Sequence, residues 1–142
     1  MERRVLAILL ILAVTICFAG CATMSDVVKE KNDGTAKVYP VTSEQAWGIA
    51  TTVFRWEGAD AIEEHKAEGY MLTSSGINLV SYCAVMGAWI EPVDQNSTKV
   101  TIVTKRRIAV NVATTEATFH NRFAQAVDMV KAGKSLPVSA PD

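Results

Sequence analysis

The feature that most constrains the fold is a series of short alternating segments between two helical stripes. Residues 43–56 carry apolar side chains every three or four positions, and Thr42 and Gln45 have the spacing of a capping box. A second stripe ends near Lys131, just before Gly133, and glycine is a common residue past the end of a helix. We therefore predict one helix before the alternating segments and one after them.

Four segments between these helices have the length and composition of β-strands. They are residues 60–65, 70–74, 77–93 and 99–108. The order helix, four strands, helix predicts an α+β fold. In this two-layer sandwich, an antiparallel sheet of about four strands in meander order carries the N-terminal and C-terminal helices on one face.

The first twenty residues have the pattern of a signal peptide. Residues 5–18 contain no ionisable side chain apart from the thiol of Cys17, and the charged residues Glu2, Arg3 and Arg4 precede them. A stable transmembrane helix needs roughly twenty apolar residues, which this run does not supply. We expect the segment to direct export and then to be removed.

The segment Phe18-Ala19-Gly20-Cys21 resembles the lipobox of bacterial lipoproteins, with Phe18 in the position usually taken by Leu. The resemblance implies cleavage before Cys21, a lipid on its thiol, and a protein held on the membrane without spanning it. Because Ala22 replaces the Asp that signals inner-membrane retention in enteric bacteria, we expect an outer-membrane lipoprotein that faces the periplasm. The alternatives are secretory cleavage near Ala22 and an uncleaved anchor.

The remaining chain predicts one small domain. Residues 21–37 are polar without a sustained period and are predicted to be the lipidated cysteine and a flexible tether, with an end-to-end distance of about 20 Å. Residues 38–137 form the α+β domain, and residues 138–142 form a loose tail. Together with the signal peptide at 1–20, these segments account for the chain.

Charge and cysteine content argue against a nucleic-acid partner and against an internal disulfide. Without residues 1–20, basic residues fall from 14 to 12 and acidic residues from 15 to 14, so the formal charge is about −2 and a nucleic-acid partner is not expected. With Cys17 removed and Cys21 acylated, Cys83 is the single remaining thiol, which excludes an internal disulfide. We interpret Cys83 as a small buried hydrophobic residue.

The third strand candidate is apolar on both of its alternating sets. One set is Leu79, Cys83, Val85 and Trp89, and the other is Val80, Tyr82, Met86 and Ile90. One interpretation is a β-bulge near Gly87 that changes the phase of the strand. The other is an exposed apolar sheet face, including Val80 and Tyr82, that binds an envelope protein, a second copy of the chain or a lipid.

The fourth strand candidate ends in the basic run Lys105, Arg106 and Arg107. Arg106 shares its alternation phase with apolar residues such as Ile102 and would face the helices if the strand stayed regular. One interpretation is a solvated strand edge that blocks edge-to-edge pairing. The other is contact with anionic lipid headgroups, where each basic residue contributes about 1 kcal/mol.

Groups that could support catalysis are few. Glu116 and His120 lie four residues apart on one helix face, but no third ligand accompanies them, so we predict a hydrogen bond on the helix surface and no metal or cofactor. A triad of Cys83, His120 and Asp128 would need a tertiary coincidence, and His65 is predicted to be solvated. The sequence therefore predicts no catalytic residue.

These observations favour a non-enzymatic envelope lipoprotein whose domain binds or scaffolds a partner. One alternative is an envelope hydrolase or metal-dependent enzyme, which would need a polar pocket around His120 or Cys83. Another is a carrier of small ligands or lipids, with an apolar cavity between sheet and helices lined by Trp47, Trp89 and Phe123.

Overall fold

The computed structural model describes residues 24–59, 61–74, 85–105 and 112–141. In chain order, its helices and strands are α1 (Met24–Lys29), a 3-10 turn (Lys31–Asp33), β1 (Thr35–Tyr39), α2 (Ser43–Trp56), β2 (Ala61–His65), β3 (Tyr70–Ser74), β4 (Val85–Pro92), β5 (Thr98–Lys105) and α3 (Val112–Lys131). Within these ranges, no helix is both long enough and apolar enough to cross a bilayer.

The predicted α+β class is confirmed. The sheet has the order β1-β5-β4-β3-β2 and every neighbouring pair is antiparallel, so β2 to β5 form the expected meander. The sheet has five strands instead of about four, because Thr35–Tyr39 pairs along the free edge of β5. Pairing gives that edge hydrogen-bond partners, which an edge strand otherwise lacks.

The predicted boundaries of α2 are confirmed by its cap. The Thr42 hydroxyl oxygen accepts a hydrogen bond from the Gln45 N–H at 3.2 Å, and the Thr42 N–H donates to Gln45 Oε1 at 3.0 Å. These two bonds satisfy N–H groups that have no partner within the helix. After Trp56 the chain turns at Gly58, where φ is 83° and a side chain would be disfavoured.

The face of the sheet that carries α2 and α3 is called the inner face. Its core is built on Phe54, Phe119 and Phe123, which are fully buried, and the Phe54 and Phe119 rings lie 4.9 Å apart. The sheet contributes alternate residues to this core, namely Met71, Met86, Ala88, Ile90, Val100 and Ile102. Both predicted helices therefore bury their apolar stripes against the same face.

The opposite, outer face is also covered. A second apolar cluster consists of Val27 with Leu72, Val85, Trp89 and Val103, and Val27 of α1 is completely buried in it. α1 contacts β3, β4 and β5. The apolar outer side chains that the structure describes in β4 are therefore covered by a helix, and the prediction of an exposed apolar face is wrong for them.

Gly87 makes room for this helix. A Cβ atom at Gly87 would lie 2.7 Å from Cγ1 of Val27 and 2.9 Å from the Trp89 ring, both closer than van der Waals contact. Gly87 pairs in register with Leu72 on β3 and with Val103 on β5. The predicted bulge near Gly87 is therefore wrong, because the glycine allows a helix to approach an unbroken ladder.

The prediction of a flexible tether over residues 21–37 is wrong from Met24 onward, where the structure has α1, the 3-10 turn and most of β1. Two ion pairs also attach this segment to the sheet. Lys31 Nζ lies 2.7 Å from Glu91 Oε1, and Glu30 pairs with Lys105. A helix of six residues is too short to show a period, and among residues 25–29 Val27 is the one buried against the sheet.

Several predicted residues lie outside the described ranges. They are Cys21, Val80, Tyr82, Cys83, Arg106 and Arg107. The residues that flank them are described: Ser74 pairs with Val85, and Val85 pairs with Lys105, so these three form one row at an end of the sheet.

Candidate functional site

A buried polar cluster joins α3 to the edge of the sheet. It consists of Thr35, Tyr39, Thr104, Glu116 and His120. His120 is fully buried, with its Nδ1 atom 2.8 Å from the Tyr39 hydroxyl and its Nε2 atom 2.8 Å from the carbonyl oxygen of Thr35. Because a carbonyl oxygen only accepts hydrogen bonds, Nε2 must carry a proton.

Burial keeps His120 neutral. Removal from water lowers the pKa of His120, and the hydrogen bond to Thr35 and the charge of Glu116 oppose this effect only in part. In the neutral ring, Nδ1 is an acceptor, and the Tyr39 hydroxyl proton lies within reach of both Nδ1 at 2.8 Å and the carbonyl oxygen of His120 at 3.1 Å. Burial also raises the pKa of Tyr39 to about 12, so this hydroxyl keeps its proton.

Glu116 caps the end of the β1–β5 ladder. Its Oε2 atom accepts from the N–H of Thr35 at 3.1 Å and from the Thr35 hydroxyl at 2.5 Å, while Oε1 accepts from the N–H of Thr104 at 3.0 Å. The last strand pair is Thr35 with Ile102, so the carboxylate takes the place of the next ladder partner. The side chain is only 5% exposed.

The prediction of a surface hydrogen bond between Glu116 and His120 is therefore wrong. Both side chains point into the domain and bind β1, whose first three residues were expected to be part of the tether. The described residues contain no group of three or more His, Cys, Asp or Glu side chains suited to a metal ion. Asp128 is exposed on α3, away from the buried His120. The ring nitrogens of His120 and the carboxylate oxygens of Glu116 are engaged in hydrogen bonds within the fold.

An open groove lies between α2 and the β2–β3 hairpin, near the sheet edge opposite to β1. We call it the Trp47 groove, and its volume is about 670 Å³. Its lining residues are Ser43, Glu44, Trp47, Gly48, Thr51, Thr52, Arg55, Glu64 and Lys66. This volume falls within the range of about 300–1,000 Å³ that is usual for ligand sites.

The groove combines one aromatic ring with charges of both signs. The Lys66 ammonium lies 5.7 Å from the centre of the Trp47 ring and 3.1 Å from Glu64 Oε2. Arg55 is exposed on the same side of α2. Trp and Arg are the side chains most enriched at the energetic centres of protein interfaces. The arrangement is suited to a partner with polar groups around an apolar contact.

This groove was not predicted, because Trp47 belongs to the apolar stripe of α2 and was expected to pack between the helices and the sheet. In the structure Trp47 is half-buried at the border of that stripe. A signal was present: Glu44, Thr51 and Arg55 lie three residues before, four after and eight after Trp47, which places all four on one helix face.

The three aromatic residues expected to line one cavity lie in three places. Trp47 borders the groove, Trp89 lies under α1 on the outer face, and Phe123 is in the core of the inner face. Lys105, a predicted headgroup contact, lies at the end of β5 and is paired with Glu30. These residues therefore do not form a common site.

No protein-family model and no curated protein matches the sequence. Solved structures with a similar arrangement include the di-domain ARO/CYC protein BexL from the BE-7585A biosynthetic pathway, at a TM-score of 0.44 and 8% identity over 70% of this chain. The match spans only 44% of the BexL chain. Ara h 8.0201 matches at a TM-score of 0.39 and 12% identity, over 71% of this chain and 97% of its own. A START superfamily protein from Mycobacterium smegmatis matches at a TM-score of 0.32 and 7% identity, over 69% of this chain and 94% of its own.

Proposed function

We propose that this chain is a cell-envelope lipoprotein, anchored through Cys21, whose domain binds a partner protein without catalysing a reaction. The observation that carries the binding role is the Trp47 groove, which is open and mixed in charge and contains an aromatic ring. The partner contact is placed in this groove because both apolar faces of the described sheet are already covered by helices.

The buried polar cluster supports a binding role over catalysis. A general acid or base must reach a substrate proton, and His120 uses both ring nitrogens within the fold. Glu116 uses both carboxylate oxygens on backbone N–H groups and one hydroxyl. Both side chains therefore hold β1 against α3.

The lipid anchor is proposed from the sequence. The segment from Phe18 to Cys21 has the lipobox pattern, and the apolar run before it is too short for a stable membrane span. Two or three acyl chains on one thiol give stable attachment to a bilayer. Arg106 and Arg107, with Lys105, remain proposed contacts for anionic headgroups, and Val80 and Tyr82 remain proposed partner contacts.

Intact mass spectrometry of the membrane-fraction protein tests the anchor. The wild-type mass should match residues 21–142 plus diacylglyceryl and acyl groups, and the Cys21→Ser variant should lack these groups. An unlipidated wild-type chain that begins after residue 20 would instead make the protein a soluble secreted domain and contradict the anchor.

Site-specific photo-crosslinking in the native host tests the groove. A photoreactive residue in place of Thr52 should give one discrete adduct, and the same residue in place of Ala124, exposed on α3, should not. Adding Trp47→Ala should remove the adduct without changing the amount of protein. Equal adducts from both positions, or an adduct that survives Trp47→Ala, would contradict the proposed contact.

The carrier alternative remains a prediction. A cavity lined jointly by Trp47, Trp89 and Phe123 is not possible, because Trp89 lies on the opposite face of the sheet from the other two. Extraction of the purified protein with organic solvent, followed by mass spectrometry, would detect a co-purified lipid if the chain carries one.

A further inference from the structure

We infer that the outer face of the sheet, the one that carries α1, is a docking surface for the phospholipid bilayer, and that the Trp47 groove therefore points away from the membrane. This inference rests on the lipid anchor proposed above. It concerns the orientation of the domain, which the presence of an anchor alone does not determine.

The length of chain between the anchor and the fold carries the argument. Cys21 precedes Met24, the first residue of α1, by three positions. Three residues span at most about 10 Å even when fully extended. The start of α1 must therefore lie within about 10 Å of the lipid headgroups, half of the distance of about 20 Å expected for a flexible tether over 21–37.

The position of α1 on the sheet turns this short distance into an orientation. Val27 packs on Gly87, and Gly87 belongs to β4, the middle strand of the five. The chain therefore enters the domain on the outer face, over the middle strand of the sheet. An anchor three residues before α1 holds this face toward the bilayer.

The outer face carries exposed apolar side chains and paired charges, which are compatible with contact with lipid headgroups. Val28 on α1 and Val38 on β1 are exposed apolar residues, at 37% and 58% exposure. Lys31 and Lys99 both contact Glu91, at 2.7 and 2.9 Å, and Lys105 pairs with Glu30, so these ion pairs leave an excess of one positive charge. We expect the tether, and not this single charge, to set the orientation, which should persist on zwitterionic phosphatidylcholine.

The groove then lies on the distal side. α1 and α2 pack on opposite faces of one sheet, and each packed layer adds about 10 Å. Trp47 is thus on the order of 20 Å farther from the bilayer than α1 is. This orientation leaves the groove accessible to a partner in the periplasm.

Fluorescence quenching on vesicles tests the orientation. An azide-bearing residue in place of Val28 on α1, or in place of Ala124 on α3 as the matched control, receives an NBD fluorophore. The lipidated protein from the membrane fraction is reconstituted into phosphatidylcholine vesicles that contain a headgroup nitroxide lipid. We expect at least threefold stronger quenching at position 28 than at position 124. Equal or reversed quenching would overturn the inference.

Two further samples test whether the short tether causes the orientation and whether the orientation can fail independently of the natural anchor. In the first, a flexible insertion of twelve Gly and Ser residues between Thr23 and Met24, which spans about 20 Å, should bring the quenching ratio close to one. A ratio that the insertion leaves unchanged would contradict the tether as the cause. Weak quenching at position 28 together with energy transfer between labelled copies would show that the outer face binds a second copy of the chain. That result would overturn the inference that this face docks on the bilayer.

The second sample separates the failure of this inference from the failure of the proposed function. Residues 21–142 carrying Cys83→Ala are coupled through the Cys21 thiol to a maleimide phospholipid, and the same two labels are compared. A natural protein without lipid mass would contradict the proposed anchor, while this coupled sample would still measure the orientation. Equal quenching in the coupled sample would overturn the orientation itself.

Discussion

The inner face of the sheet is covered by two helices of 14 and 20 residues, whereas the outer face carries one helix of six residues. The inner core contains three fully buried phenylalanines, whereas the buried side chain described in α1 is Val27. The inner face therefore determines whether the domain folds. The outer face is attached by a small contact area and two ion pairs, so we expect it to open locally while the rest of the domain remains folded.

The largest effect is expected on the inner face. Phe119→Ala removes a ring that contacts both Phe54 and Phe123, and it leaves a cavity in a closely packed core. We expect a loss of about 3–5 kcal/mol in the free energy of unfolding. Urea denaturation monitored by circular dichroism measures this loss. A loss below about 1 kcal/mol would show that the inner face does not carry the stability of the domain.

The second prediction concerns the outer face. In Gly87→Ala the new methyl group would overlap Val27 and Trp89, so we expect α1 to be displaced, at a cost of about 1–3 kcal/mol. Hydrogen exchange should show faster exchange in α1 and unchanged protection in α3. Faster exchange in both helices would mean that the two faces unfold together and would contradict the comparison.

Gly48→Ala is the matched control for this substitution. Gly48 lies in the middle of α2, and a Cβ atom there would meet nothing within 4 Å. The same chemical change should therefore raise the free energy of unfolding by about 0.5–1 kcal/mol, since glycine is unfavourable inside a helix. If Gly87→Ala lowers the free energy of unfolding while Gly48→Ala raises it, the loss at Gly87 is due to the contact with α1.

The same contrast separates what the sequence could predict from what it could not. The inner face follows from periodicity: the stripe of α2, its capping box and the meander of strands are repeated patterns that local physics determines. α1 and β1 carry no such pattern, because each is only five or six residues long. Their place depends on contacts with residues distant in sequence.

The candidate sites show the same division. Glu116 and His120 could be placed on one face of a helix by their spacing, but their burial depends on β1, which packs against that face. The Trp47 groove depends on the hairpin that brings Glu64 and Lys66 beside α2. Sequence periodicity identifies which side chains share a face, whereas tertiary contacts determine which faces are covered.

The third prediction uses the buried polar cluster, where β1 meets the inner helical layer. The pKa of His120 is lowered in the folded state, whereas in the unfolded chain it has its ordinary value of about 6.5. As the pH falls below that value, the unfolded chain binds a proton more readily than the folded protein does. The stability contributed by neutral His120 is therefore present above that pH and is lost as the pH falls. Urea denaturation between pH 7.5 and 5 should show this decrease, and it should be smaller in His120→Gln. An identical pH dependence in both proteins would rule out His120 as its source.

The smallest effect is expected from the ion pair that attaches the outer segment. Lys31 and Glu91 are each more than one-third exposed, so solvent screens their attraction, and Lys31→Met should cost less than about 1 kcal/mol. The hydrogen bonds from Lys31 and Lys99 lower the pKa of Glu91, and Lys99 would still compensate this carboxylate in the variant. Hydrogen exchange of α1 in wild type should become faster with added salt, and Lys31→Met should lose part of that dependence. If the variant keeps the full salt dependence, the Lys31–Glu91 pair makes no measurable contribution, and the dependence comes from other charges such as the Glu30–Lys105 pair.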